Sequence, residues 1–180
     1  MLKMNGIPLE TRSVPEIHFV GVIALITGVI SAIGVVLLLA MFILFVTPYK
    51  ELGMQVGMLN DICVAFQYLL SIPIALALYR ILSADHPLLM RIATMLGIVS
   101  MLIVFGLQLL LIFQVLAFEQ QVLWVSLAMI LGVGSWLAIT GLVARSIGGL
   151  PNSLLMSAIA IPYIGYPAWA FWIGLQLVVW

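Results

Sequence analysis

The run "FVGVIALITGVISAIGVVLLLAMFILFV", residues 19–46, decides the fold class because it contains no charged side chain. A helix needs about 20 apolar residues to cross a hydrocarbon core of roughly 30 Å. This run is longer, so we expect the helix to tilt, to kink or to project past the lipid. It also exceeds the apolar region of a signal peptide, and no small-residue cleavage site closes it. We therefore expect a retained first membrane-spanning helix.

The composition of the whole chain predicts the same environment. Of 180 residues, 66% are hydrophobic and 7% are charged, whereas soluble domains carry about 25% charged residues. The formal net charge is zero, so the chain lacks the basic field that binds nucleic acid. One cysteine cannot form an internal disulfide. These features predict a polytopic membrane protein whose main partners are membrane lipids.

Five apolar runs predict an all-α bundle of five spanning helices in a single domain, residues 1–180. The runs cover residues 19–46, 62–79, 92–118, 122–144 and 154–180. Pro162 and Pro167 interrupt the last run. A proline removes a backbone hydrogen bond and kinks a helix. The last run therefore either crosses with a kink or re-enters the membrane on the same side.

The basic residues predict the orientation. With five crossings, five of the six Lys and Arg residues lie on one side, and Lys50 lies on the other. The positive-inside rule then places the N-terminus in the cytoplasm and the C-terminus outside. If the last run re-enters, the C-terminus lies inside.

Small residues at spacings of four predict where helices touch. They are Ala24, Gly28 and Ala32 in the first run, Ala93 and Gly97 in the third, and Ala128, Gly132, Gly134 and Ala138 in the fourth. Small side chains let helix backbones approach closely in lipid. We expect most of these contacts to form within the chain.

Polar uncharged side chains predict a candidate pocket that opens to the outside. On the five-crossing topology they converge on the outer half, with Trp124, Trp169 and Trp172 at the rim. The candidate residues are Asp61, Gln67, Ser71, Gln108, Gln114 and Gln176. The alternative is that each amide hydrogen-bonds a neighbouring helix and only holds the bundle together.

Asp61 directly precedes the second apolar run, on its outer side. In the predicted second helix, 62–79, it lies at the first turn, where a carboxylate is favoured by the helix dipole. Asn60 or Asp61 could also cap that helix. We therefore expect Asp61 to lie near water at the entrance of any outward-facing site.

Catalytic and metal-binding patterns are absent from the sequence. No charged residue lies in the middle of an apolar run, which argues against proton pumps, ion-coupled transporters and voltage sensors. Cys63 has no histidine on its side of the membrane. His18 and His86 lie at the inner edge, which suits solvated residues better than metal or haem ligands. We predict no catalytic residue, no metal site and no cofactor.

Three segments carry a resemblance to known proteins. They are "IALALYRILSADHPLLMRIATMLG" (residues 74–97), the Arg- and Gly-containing turn from Trp136 to Pro151, and "IGYPAWAFW" (residues 164–172). Together they resemble a family of bacterial polytopic integral membrane proteins classed as a domain of unknown function. The resemblance implies residence in the bacterial cytoplasmic membrane, and it implies no substrate or catalytic residue.

Three functions fit these features. The first is a non-enzymatic accessory or structural subunit in the lipid phase, bound to other membrane subunits or to itself. The second is a carrier or binding protein for an apolar or amphipathic small molecule, which uses the outward-facing pocket. The third is an electron-transfer subunit that binds haem or a pigment.

Overall fold

The computed structural model describes residues 14–84, 86–146 and 162–179. These residues form helices α1 (Val14–Phe45), α2 (Lys50–Leu82), α3 (Pro87–Ile112), α4 (Phe118–Leu127), α5 (Ser135–Ser146) and α6 (Pro162–Val179). A π-helical segment, Ala128–Gly134, joins α4 to α5. No strand occurs within these ranges, which confirms the all-α class. Four helical rods, with 118–146 counted as one, are long and apolar enough to cross a membrane.

Helix α2 is much longer than the apolar run that predicted it. It begins at Lys50 and has 33 residues, whereas hydropathy places its start at residue 62. The extra segment contains Lys, Glu, Leu, Met and Gln, all strong helix formers, and Glu51 suits the positive end of the helix dipole. Helix propensity therefore extends α2 through sequence that is too polar to count as a span. The connection between the first two apolar runs therefore reduces to residues 46–49.

Thr47 organises that tight turn. Its hydroxyl donates to the Leu44 carbonyl at 2.7 Å and accepts from the Tyr49 amide at 3.3 Å. One side chain thus satisfies a free carbonyl at the end of α1 and an amide ahead of α2. The turn places the two helices antiparallel, and Gly57 lies against Met41 along their contact.

Helices α1, α2 and α3 and the rod formed by residues 118–146 alternate in direction, so the bundle has two distinct ends. Glu16, near the start of α1, pairs with Arg80, near the end of α2, at 3.4 Å. The start of α3 and the end of α5 add Arg91 and Arg145 to the same end, which we call the basic end. The opposite end contains the α1–α2 turn and Lys50, and we call it the hairpin end.

Helix α6 runs antiparallel to α1. A Cβ added at Gly21 would lie 2.8 Å from the Val178 amide nitrogen, and one at Gly28 would lie 3.1 Å from the Phe171 amide nitrogen. Between them, a Cβ at Gly174 would lie 2.8 Å from the Leu25 amide nitrogen. Later residues of α1 therefore contact earlier residues of α6, as in an antiparallel pair. The two backbones pack almost without intervening side chains.

This direction is a correction to the five-crossing topology. A single inward-to-outward crossing over 154–180 requires the last helix to run parallel to α1, but Val178 lies beside Gly21 near the start of α1. The described part of the segment therefore ends toward the basic end, as expected if it re-enters. Hydropathy could not reveal this, because an apolar run has no direction of its own. Residues 154–161 and Trp180 lie outside the described residues.

Helices α3 and α5 meet through a second set of close contacts. A Cβ at Gly97 would lie 2.6 Å from Trp136 Cγ, and one at Gly132 would overlap the Ser100 side chain. Three of the predicted small residues thus make close contacts between helices: Gly28, Gly97 and Gly132. Gly134 is closest to the Met129 carbonyl of its own π-helical segment. The largest fully buried side chains, Trp136, Trp169 and Tyr166, lie where α5 and α6 meet.

We expect Gly174→Ala to lower the free energy of unfolding by about 1–3 kcal/mol, because the new methyl would meet the α1 backbone, which cannot rotate away. Gly106→Ala is the matched control, since a Cβ there meets nothing within 4 Å. That change should be neutral or stabilise by up to about 1 kcal/mol. Detergent-solubilised protein unfolded with SDS and followed by circular dichroism measures both. Equal effects would contradict the α1–α6 packing described here.

Candidate functional site

The residues predicted to form an outer pocket lie in separate places. Gln108 and Gln121 form one pair, in which Gln121 Nε2 donates to Gln108 Oε1 at 2.8 Å. Both side chains are buried, so the bond joins α3 to the first turn of α4 inside the bundle. Gln121 was expected in a loop, because the fourth apolar run begins after it. The pair has the geometry of a helix-to-helix amide contact.

Ser71 and Gln67 belong to a second location, deeper in α2. The Ser71 hydroxyl donates to the Gln67 carbonyl at 2.6 Å and also bonds the Tyr166 hydroxyl of α6. Ser71 is fully buried and Tyr166 is 1% exposed. The sequence did not identify Tyr166 as a partner of Ser71, because the direction of α6 decides which side chains Tyr166 contacts.

Gln114 has a local role at the end of α3. Its φ is +58°, in the left-handed region. Its amide donates to the Leu111 carbonyl, and the Val115 amide donates to the Leu110 carbonyl. These two bonds form a Schellman cap, in which a left-handed residue ends the helix and satisfies its last carbonyls. The Gln114 side chain is exposed in the turn and does not join a pocket.

Gln176 lies on the outside of the bundle. Its side chain is exposed, while its neighbours Gly174 and Leu177 are buried. Because α6 runs toward the basic end, Gln176 lies in the half of the bundle opposite to the one predicted. It therefore cannot share a site with Gln108. The tryptophans predicted to form the rim of the pocket are also separated, since Trp124 is exposed and Trp169 is fully buried.

Asp61 lies three turns into α2 and not in its first turn. The helix begins at Lys50, so Asp61 is about 16 Å along it at about 1.5 Å per residue. The expected stabilisation by capping and by the helix dipole is therefore wrong, because both act on the first turn only. Asp61 is half-buried and its neighbour Asn60 is buried, with Asn60 Oδ1 close to Gly34 of α1.

The short turn between α2 and α3 places Asp61 and Gln108 at about the same height. Counted from this turn, each is about 32 Å along its helix. Asn60, Asp61, Gln108 and Gln121 thus form a polar layer across α2, α3 and α4. Of the six residues predicted to line the outer pocket, this layer contains Asp61 and Gln108.

The two histidines and the cysteine do not come together as a metal-binding or catalytic cluster. His18 and His86 are both exposed, and Glu16, one candidate partner, pairs with Arg80. Asp85 lies outside the described residues. Cys63 is a half-buried free thiol whose Cβ faces Gly34. Within the described ranges, no three His, Cys, Asp or Glu side chains come together as a metal site would require.

A chain of aromatic rings crosses the core, and sequence reasoning did not identify it. Tyr68 and Tyr166 have ring centroids 6.4 Å apart, Tyr166 and Trp169 are 5.3 Å apart, and Trp169 meets Trp136 edge-on at 5.6 Å. These four rings connect α2, α6 and α5. The position of Trp136 in the middle of an apolar run was the available signal, because membrane tryptophans favour the interfaces.

Several buried polar atoms near these rings lack a hydrogen-bond partner in the described part of the chain. They are Trp136 Nε1, Trp169 Nε1, Thr94 Oγ1 and Thr140 Oγ1, together with Ser31 Oγ on α1. A buried polar group without a partner costs about 1–3 kcal/mol. The side chains of Gln108, Gln121 and Ser71 are by contrast hydrogen-bonded.

Comparison of the chain with protein-family models, curated proteins and solved structures gave no match.

We expect Gln108→Leu to lower the free energy of unfolding by about 1–2 kcal/mol, because it leaves the buried Gln121 amide unpaired. Adding Gln121→Leu should recover part of this loss, so the two changes are not additive. Gln176→Leu is the control, since its exposed side chain should change stability by less than about 0.5 kcal/mol. A double-mutant cycle by SDS unfolding measures the coupling. Strict additivity would show that the amides act independently.

Proposed function

We propose that the chain is a non-enzymatic accessory subunit of the bacterial cytoplasmic membrane, which binds another integral membrane protein through its α1–α2 hairpin. The observation that carries this proposal is the length of α1 and α2. They have 32 and 33 residues, against 26 in α3. Two neighbouring helices therefore extend well beyond the rest of the bundle at the hairpin end.

The charged residues indicate where the two boundaries of the hydrocarbon core lie along the helices. Arg80 and Arg91 mark its boundary at the basic end. From Arg80 to Asp61, α2 rises about 28 Å, and from Arg91 to Ile112, α3 rises about 32 Å. Both distances match a hydrocarbon core of roughly 30 Å. Asp61 then lies at the outer boundary and the end of α3 lies about one turn further out. The rest of α2 projects about 16 Å beyond Asp61 and about 10 Å beyond the end of α3.

The projecting hairpin carries exposed apolar side chains. In α1 and α2 they include Phe42 (57% exposed), Ile43 (64%), Met54 (60%) and Met58 (46%). Lipid tails solvate such side chains inside the hydrocarbon, but not beyond it. Contiguous apolar surface in contact with water is typical of protein interaction sites, and flexible methionines are common at such surfaces.

The interior supports a structural role better than a catalytic one. Its bonded polar side chains connect helices in pairs, as Gln108 and Gln121 do. The outer carrier pocket has no such support, because Gln67, Gln108 and Gln176 do not meet. Haem binding within the membrane would require two buried histidines that face each other. His18 and His86 are both exposed and do not form such a pair.

We expect the tagged chain, purified from native membranes in mild detergent, to retain a second membrane protein in a fixed ratio. Met54→Ala combined with Met58→Ala should reduce the yield of that protein several-fold, because buried apolar anchors dominate interface energetics. Met95→Ala is the control, since Met95 is also 60% exposed but lies at the level of the lipid.

Two results would contradict the proposal. One is a partner yield that is unchanged by the hairpin variant, or equally reduced by the control. The other is a catalytic activity of the purified chain that is lost on substitution of one polar residue. Recovery of only a second copy of this chain would replace the accessory role with self-association.

The basic end faces the cytoplasm in this proposal, following the positive-inside rule. Because α6 ends toward that end, we expect Val179 and Tyr49 to lie on opposite sides. A Cys63→Ser background with either Tyr49→Cys or Val179→Cys tests this with an impermeant maleimide. Tyr49→Cys should react in right-side-out vesicles and Val179→Cys in inverted vesicles. Labelling of both from the outside would restore the five-crossing topology.

A further inference from the structure

Four buried polar groups surround the point where α3, α5 and α6 meet. Trp136 and Trp169 touch edge-on, and both are fully buried. Thr140 follows Trp136 by one helical turn and is also fully buried. Thr94 precedes Gly97 by one turn, is 4% exposed, and Gly97 lies against the Trp136 ring. Residues three or four apart share a helix face, so both hydroxyls lie about one turn from Trp136.

None of these four groups has a hydrogen-bond partner in the described chain. A buried threonine in a helix commonly bonds its own backbone, as Thr27 does with the Ile23 carbonyl at 2.8 Å. Thr94 and Thr140 do not. An indole N–H has no such alternative, because its ring cannot turn back onto the helix. It is also a donor only, so Trp136 and Trp169 both require an acceptor from elsewhere.

We infer that these four groups line one internal site that binds an uncharged hydrogen-bond acceptor through an oxygen atom. Two indoles supply fixed donors, and two threonine hydroxyls can donate or accept. The acceptor is uncharged because the neighbouring basic residues, Arg91 and Arg145, are exposed and an unpaired ion in this apolar core would be strongly disfavoured. Water or the carbonyl or hydroxyl group of a small apolar molecule supplies this chemistry.

This site differs from the outer pocket predicted from the sequence. It uses other residues, and it lies in the half of the bundle nearer the basic end, since Arg91 and Arg145 are within two turns of its threonines. It does not depend on the proposed accessory function, because the hairpin that carries that proposal is at the opposite end.

Nuclear magnetic resonance of the ¹⁵N-labelled full chain in detergent tests the site through its indole signals. The five tryptophans give five N–H peaks, which Trp136→Phe and Trp169→Phe assign. If either variant fails to fold, the Trp136 peak is assigned through its Overhauser contact with Gly97. We expect the Trp136 and Trp169 protons to be shifted downfield, as hydrogen-bonded indoles are.

Removal of the hydroxyls provides the matched comparison. Thr94→Val and Thr140→Val keep the side-chain shape and should move the Trp136 and Trp169 peaks. Thr27→Val removes an equally buried hydroxyl that already bonds its own helix, and it should leave both peaks in place. Unshifted indole protons that none of the threonine variants affects would overturn the site.

The same sample distinguishes the two sources of oxygen. Exchange cross-peaks between these indole protons and solvent indicate bound water. Overhauser contacts to a non-protein molecule, which is recovered by organic extraction and mass spectrometry and is depleted in Thr140→Val, indicate a small apolar ligand. Either result supports the site.

Discussion

Close backbone contact at glycine is the constraint on which this bundle depends. Lipid tails are as apolar as the helix surfaces, so burial from water cannot hold the helices together within the membrane, and packing must do so. Gly28 and Gly174 bring α1 and α6 together until each backbone meets the other. Gly97 of α3 makes room for the Trp136 side chain of α5, and Gly132 of the π-helical segment makes room for the Ser100 side chain of α3. A single methyl group at any of these positions would separate two helices.

These contacts also decide which polar and aromatic side chains meet. With α6 held antiparallel to α1, Tyr166 reaches Ser71 of α2, and Trp169 reaches Trp136 of α5. The core therefore closes around aromatic rings and hydroxyl groups. The pairs that are satisfied join helices, whereas the indoles of Trp136 and Trp169 and the hydroxyls of Thr94 and Thr140 have no hydrogen-bond partner in the described chain.

The two ends of the bundle differ because helix formation and hydropathy follow different rules. The segment from Lys50 to Asn60 is too polar to span a membrane, yet its residues favour helix, and α2 continues through it. Asp61 consequently lies level with Gln108, about one turn before α3 ends. The same continuation carries α2 past the end of α3, with exposed apolar side chains such as Met54 and Met58.

The sequence alone determined the helical class, four helices that are long and apolar enough to cross a membrane, and close contacts at small residues, because hydrophobicity and residue size are local properties. Only the tertiary structure decided the direction of α6, since an apolar run reads the same in either direction. That direction moved Gln176 to the opposite half, joined Tyr166 to Ser71, and divided the predicted pocket. The start of α2 was likewise settled by helix propensity acting beyond the apolar run, which places Asp61 three turns from the start of the helix and not in its first turn.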